Sequence, residues 1–140
     1  MEVNRVREDS LAMKVLVDAS FLMLCAEAGR DFMHMAEEAI GEPIEPYVTE
    51  EVLNELKSIA GRGGRRGRLA ALALKIAGGM SLIRGGGDVP ADMRLLQEAA
   101  RLKAAIATVD LSLIRRARSL GIPVMSIGSD MRIVFEGVRL

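Results

Sequence analysis

Four carboxylates stand where an acid needs a reason. Asp18 directly follows the apolar run KVLV, and Asp110 lies two residues beyond AAIAT. If both runs are parallel strands, both acids sit outside strand carboxyl ends, where open α/β sheets bind ligands. Each could equally cap the helix that follows it. Glu55 lies three residues after Val52 and four before Ile59, on or beside the apolar stripe Val52, Leu56, Ile59. Asp92 precedes Leu95 and Leu96 by three and four, so it projects from that helix's apolar side. A carboxylate facing a core is costly unless paired with a cation; the alternative is a rim position beside an Arg or Lys. Four acids meeting at one edge would repel one another and raise one or more pKa values. A divalent cation relieves that repulsion, and an all-oxygen set suits Mg²⁺ or Mn²⁺ rather than zinc.

No other residue type competes for the chemistry. His34 is the sole histidine and follows Phe32 and Met33 in a helical stretch, which reads as structural or exposed. Cys25, the sole cysteine, lies among Leu22, Met23, Leu24 and Ala26 and reads as a small buried hydrophobe. One thiol makes no internal disulfide, so nothing marks a secreted scaffold.

The elements that must position the acids can be read from period and punctuation. Residues 14–17 form a short apolar strand, and helices follow over 22–28 and 32–40, divided by Gly29. A second strand covers 44–48. Thr49 then caps a helix running to about residue 60, with Glu50 and Glu51 in its first turn, where the helix dipole favours anions. Residues 61–67 (GRGGRRG) read as a flexible basic loop, followed by a helix over 68–77 that Gly78 and Gly79 stop. A strand at 80–83, a glycine loop at 85–87 and a helix from Pro90 at position N1 to about 102 come next. A strand at 104–108, a helix over 111–120 with Gly121 as C-cap, and strands at 124–127 and 133–135 complete the chain. Short, continuously apolar strands alternating with helices predict a three-layer α/β/α sandwich with a central, mainly parallel sheet.

The 140 residues fit one domain, expected over 13–140 after a frayed polar leader over 1–12. Met13 precedes the first strand and is a candidate alternative start to Met1. Half the residues are apolar but only four are aromatic, so an aliphatic core is expected. Lys plus Arg equals Asp plus Glu, so any nucleic-acid contact must come from local clusters of charge. No apolar run reaches the length of a membrane span and the N-terminus is unlike a signal peptide, so a cytoplasmic protein is expected.

Taken in order, KVLVDASFL, VTEEVLNELKSI, ADMRLLQEAARLKAAIATVD and GIPVMSI resemble the PIN-domain nuclease family, from Lys14 to about Gly137. The resemblance implies a central parallel sheet, usually of five strands, and metal-dependent hydrolysis of RNA phosphodiester bonds to 5′-phosphate and 3′-hydroxyl ends. It assigns Asp18, Glu55, Asp92 and Asp110 as the acidic quartet, and Ser20 and Thr108 as small hydroxyls near the metal. The compact chain looks most like archaeal single-domain members related to pre-ribosomal-RNA endonucleases. VapC-type toxins of toxin–antitoxin pairs are the close rival. Two positions depart from the pattern: Val109 stands where a polar residue often precedes the last acid, and Met93 where a further acid often follows the third.

RNA as the partner needs cations. Arg62, Arg65, Arg66 and Arg68 cluster in and after the glycine-rich segment, and Arg115, Arg116 and Arg118 form a second group. Ordinary solvated surface is the alternative for both. Scarce aromatics argue against base stacking as the main grip, so target choice is expected to come from RNA shape or from a partner, an antitoxin or a ribosome-assembly factor. Met23, Met33 and Met35 suit a core or a subunit interface, and a homo-oligomer is expected. A phosphoacceptor receiver domain would need an acid pair after the first strand and a Lys after the last core strand. Val17 precedes Asp18, and Gly128 follows Ile127. A PIN fold used only for RNA binding or assembly is the remaining alternative.

Overall fold

The computed structural model describes residues 12–86 and 88–137. Of the leader expected over 1–12, residues 1–11 lie outside the described residues, as does Gly87 of the glycine loop. Six strands, β1 (Met13–Val17), β2 (Ile44–Thr49), β3 (Ser81–Ile83), β4 (Ala105–Ala107), β5 (Val124–Ile127) and β6 (Ile133–Glu136), form one sheet in the order β3-β2-β1-β4-β5-β6. The first five run parallel and β6 is antiparallel to β5. Helices α1 (Ala19–Ala28), α2 (Phe32–Ile40), α3 (Glu50–Gly61), α4 (Gly64–Ala77), α5 (Ala91–Leu102) and α6 (Leu111–Ser119) flank it. This is the expected three-layer α/β/α sandwich, with a sixth strand beyond the five that the resemblance implied.

The strand order reverses between β1 and β4. Val15, Leu16 and Val17 pair with Ala105, Ile106 and Ala107, so the next residues on both strands emerge side by side. The Asp18 amide continues the ladder by donating to the Ala107 carbonyl at 2.9 Å. A crevice outside the strand carboxyl ends opens where order reverses in sheets of this kind. Val15, Leu16, Val17, Ile106 and Ala107 are all fully buried, which is why these runs carry no alternation.

The segment read as a flexible basic loop at 61–67 is mostly helix: α4 begins at Gly64, so Arg65, Arg66 and Gly67 belong to its first turns. The glycines that suggested a loop serve the helix pair. Gly63 takes φ 72° to reverse the chain after α3. Gly67 packs so closely on α3 that a Cβ there would lie 3.1 Å from the Ala60 carbonyl oxygen. Gly67, Ala70, Ala73 and Ala77 form the buried stripe of α4, small enough for close approach.

Other boundaries shift less. Helix α1 starts at Ala19, immediately after Asp18, rather than at residue 22. Pro90 occupies the N-cap of α5 and not N1, and Leu120 caps α6 with Gly121 one place beyond at φ 71°. The core is not purely aliphatic: Tyr47, Phe21 and Phe32 are its largest fully buried side chains, the two phenyl rings meeting edge to face at 6.2 Å. Met23, Met33 and Met35 pack partly buried against it. Among the described residues no helix is long and apolar enough to cross a membrane.

Candidate active site

A cleft of about 750 Å³ opens at the strand carboxyl ends, and Asp18, Glu55, Asp92 and Asp110 all line it. They arrive from four places: the end of β1, the middle of α3, the first turn of α5 and the residue capping α6. Ser20, Arg65, Arg66 and Val109 line the same cleft.

Asp18 is the most enclosed of the four, at 8% exposure. It stands at the N-cap of α1 but makes no side-chain cap, so the capping alternative fails for it. Its Oδ2 accepts instead from the Ser20 hydroxyl at 2.6 Å and the Thr108 hydroxyl at 2.8 Å. Each hydroxyl in turn accepts a backbone amide: Val109 donates to Ser20 Oγ at 3.1 Å and Asp110 to Thr108 Oγ1 at 3.0 Å. Both hydroxyl protons are committed to Asp18, so the 3.1 Å approach of Ser20 to Thr108 is a contact between two acceptors. These two relays hold Oδ2 and leave Oδ1 without a hydrogen bond from the described residues. The hydroxyls thus act by fixing Asp18.

Asp110 does cap its helix, through Oδ1, which accepts from Ser112 at 2.9 Å and Leu113 at 3.3 Å. It lines the cleft as well, so the two readings of this residue are compatible. Asp92 accepts from the Met93 amide and forms an ion pair with Arg116 of α6. The rim-pairing alternative therefore holds for Asp92, and Arg116, expected as an RNA contact, is engaged by an acid of the cleft.

Glu55 has neither hydrogen bond nor ion pair among the described residues. Although it is exposed along its flank, its carboxyl is held above the usual range, first by partial burial and then by the carboxylates of Asp18, Asp92 and Asp110. Arg66 opposes the rise. This is the mutual repulsion expected of converging acids. The convergence is loose: among the described residues, no three Asp, Glu, His or Cys side chains are grouped tightly enough to grip a bare ion. Asp92 is turned toward Arg116 and Asp110 toward its own helix end.

The basic residues divide. Arg65 and Arg66 line the cleft from α4, Arg65 also reaching Glu27 at 3.2 Å, while Arg62 and Arg68 are exposed beside them. On α6, Arg115 is exposed, and Arg118 binds Glu136 through two contacts of 2.8 Å. Cys25 is buried, which pushes its thiol up to about 11 and leaves it inert. His34 is exposed beside Glu37 and Glu38.

Sequence reasoning overlooked Arg94. It follows Asp92 by two positions on α5 and is 3% exposed. Its guanidinium contacts Glu51 of α3 at 3.1 Å, Glu98 at 3.2 Å, the Arg84 carbonyl at 3.0 Å and the Gly85 carbonyl. The one available signal was its adjacency to the buried pair Leu95 and Leu96, with Glu98 one turn on.

The chain is similar to known proteins along most of its length. It matches a solved structure of the PIN domain endonuclease Utp24 at 25% identity, with a TM-score of 0.72 over 89% of this chain and 92% of that one. It also matches a domain of a functionally unknown protein from Methanocaldococcus jannaschii, at 18% identity and a TM-score of 0.64, over 92% of this chain and 98% of that one. No curated protein resembles the chain closely enough to count as a match. The family model described as "PIN like domain" covers residues 15–129. With the sheet order, the acid-lined cleft and that coverage in agreement, the chain belongs to the PIN-like domain family.

Proposed function

We propose that the protein is a metal-dependent endoribonuclease that hydrolyses RNA phosphodiester bonds. The observation that carries this reading is the meeting of Asp18, Glu55, Asp92 and Asp110, from four separate elements, in one cleft that also holds Arg65 and Arg66. The likeness to the endonuclease Utp24 supports it.

The donor set fits a hard, partly hydrated dication such as Mg²⁺ or Mn²⁺. Every candidate ligand is a carboxylate oxygen, and Mg²⁺ usually keeps several waters while using one or two carboxylates. A loose ring of acids suits that habit better than a tight cage. When bound, such an ion would lower the pKa of water and offset charge developing on phosphate. Asp18, with Oδ2 fixed and Oδ1 accepting no hydrogen bond from the described residues, is the best prepared ligand, and Glu55, Asp92 and Asp110 complete the set. Arg65 and Arg66 would hold the negative RNA backbone across the same opening. Asp92 shares its charge with Arg116, a side chain that could turn to phosphate when the acid finds another cation.

Processing of ribosomal RNA, in the cytoplasm, is the role suggested by the sequence motifs' resemblance to single-domain relatives of pre-ribosomal-RNA endonucleases. The test is cleavage of end-labelled structured and single-stranded RNA with Mg²⁺, Mn²⁺ or chelator. The wild type should cut only with metal, and Asp18→Asn should lose at least about a hundredfold in rate, the upper range for groups supporting a metal, while staying folded. Binding of RNA without cleavage under every metal would instead support an RNA-binding or assembly module.

A further inference from the structure

Arg94 and Glu51 form a buried tie between the two helices that carry Glu55 and Asp92. Glu51 lies one turn before Glu55 on α3, and Arg94 lies two residues after Asp92 on α5. Arg94 is 3% exposed and Glu51 is half-buried, so their 3.1 Å contact is shielded from screening far better than a surface pair. The same guanidinium takes the carbonyls of Arg84 and Gly85, and a Cβ on Gly86 would collide with it. Glu50 clasps this loop from the other side, accepting the Gly85 amide at 2.6 Å. Residues 84–86 are thereby folded against Arg94 and pinned to the start of α3. Glu98 also binds Arg94, at 3.2 Å, but it sits on α5 itself and adds nothing between helices.

We infer that Arg94 is a positioning residue whose tie to Glu51 sets the separation of Glu55 and Asp92, and with it the affinity of the cleft for a divalent cation. The inference rests on the metal-binding reading of the cleft. A planar fork is what this place requires: Arg94 serves two carboxylates and two carbonyls spread around one plane, which a Lys ammonium cannot match. Partners that orient metal ligands without touching the metal are worth about 10- to 100-fold in affinity when lost.

The experiment is Mn²⁺ binding, followed by the electron paramagnetic resonance of free Mn²⁺, on wild type, Arg94→Lys, Glu51→Met and Glu98→Met. Thermal unfolding is measured alongside to count only folded protein. Arg94→Lys and Glu51→Met should each weaken Mn²⁺ binding about tenfold, and excess Mn²⁺ should restore RNA cleavage toward the wild-type rate. Glu98→Met should bind Mn²⁺ as the wild type does, whatever its melting temperature. Equal affinity in all four proteins, or equal weakening in Glu98→Met, overturns the positioning role while leaving the metal site intact. A wild type that binds no Mn²⁺ overturns the metal reading itself. If Arg94→Lys does not fold, Glu51→Met against Glu98→Met decides the matter alone.

Discussion

Thr108 and Asp18, ninety positions apart, meet through a buried 2.8 Å hydrogen bond at the point where the sheet reverses its strand order. The pairing of β1 with β4 brings them together, and the Thr108 hydroxyl passes the pull of the Asp110 amide on to the Asp18 carboxylate. Thr108→Val keeps the shape but leaves a backbone amide and a carboxylate oxygen each short of a partner. An unmet buried group costs about 1–3 kcal/mol, so the melting temperature should fall by about 5 °C. Thermal unfolding followed by circular dichroism checks this, and an unchanged melting point would show the hydroxyl to be idle.

Glu55 should make stability fall as pH rises. Its folded pKa lies above the ordinary 4.5, so the folded state holds the proton more tightly than the unfolded chain does. The penalty is absent below the ordinary value and grows as pH climbs through the raised one. Glu55→Gln should therefore raise the melting temperature of metal-free protein at pH 7, modestly because solvent screens this exposed side chain, and make no difference near pH 4. The same variant should bind Mn²⁺ more weakly. Destabilisation at pH 7 would mean that Glu55 has a partner that offsets its repulsion.

Arg116 and any cation in the cleft compete for Asp92. Arg116→Gln removes the competitor and leaves the cleft more negative. With unit charges a few ångströms apart in partly wet surroundings, Mn²⁺ binding should tighten about three- to tenfold. RNA binding should weaken, because a cation beside Asp92 is gone. Mn²⁺ and RNA titrations on the same preparation read both, and movement of both in one direction would refute the competition.

The α4 arginines should govern the salt dependence of RNA binding. Arg65→Gln, Arg66→Gln and Arg68→Gln together should reduce the slope of log affinity against log salt by about two, at roughly 0.7 per phosphate contact on single strands. Arg115→Gln gives the slope for one exposed residue of α6. A triple variant with the wild-type slope would place the RNA elsewhere.

How far the molecule was legible beforehand differs by element. The parallel sheet was plain, because the cores of these runs, VLV over 15–17 and AAIA over 104–107, are apolar at every position, as strands buried on both faces require. The meeting of four acids also followed from strand ends and helical spacing. Gly67 misled, since a glycine that lets two helices touch has the same letter as one that bends a loop. Asp92 and Arg116 lie 24 positions apart with no periodic relation, so their pairing had no local signature. Arg94 hid for a related reason: a buried guanidinium is recognised by the carbonyls around it, and those come from a loop whose course no pattern foretold.

In the proposed nuclease, Asp18, Glu55, Asp92 and Asp110 would act together on one cation. Anomalous diffraction from a crystal soaked in Mn²⁺ tests it most directly. A peak should appear in the cleft, bonded to Asp18 and to at least one of the other three, and be absent in an Asp18→Asn crystal. A cleft without a peak, or a peak that persists when Asp18 is changed, would contradict it.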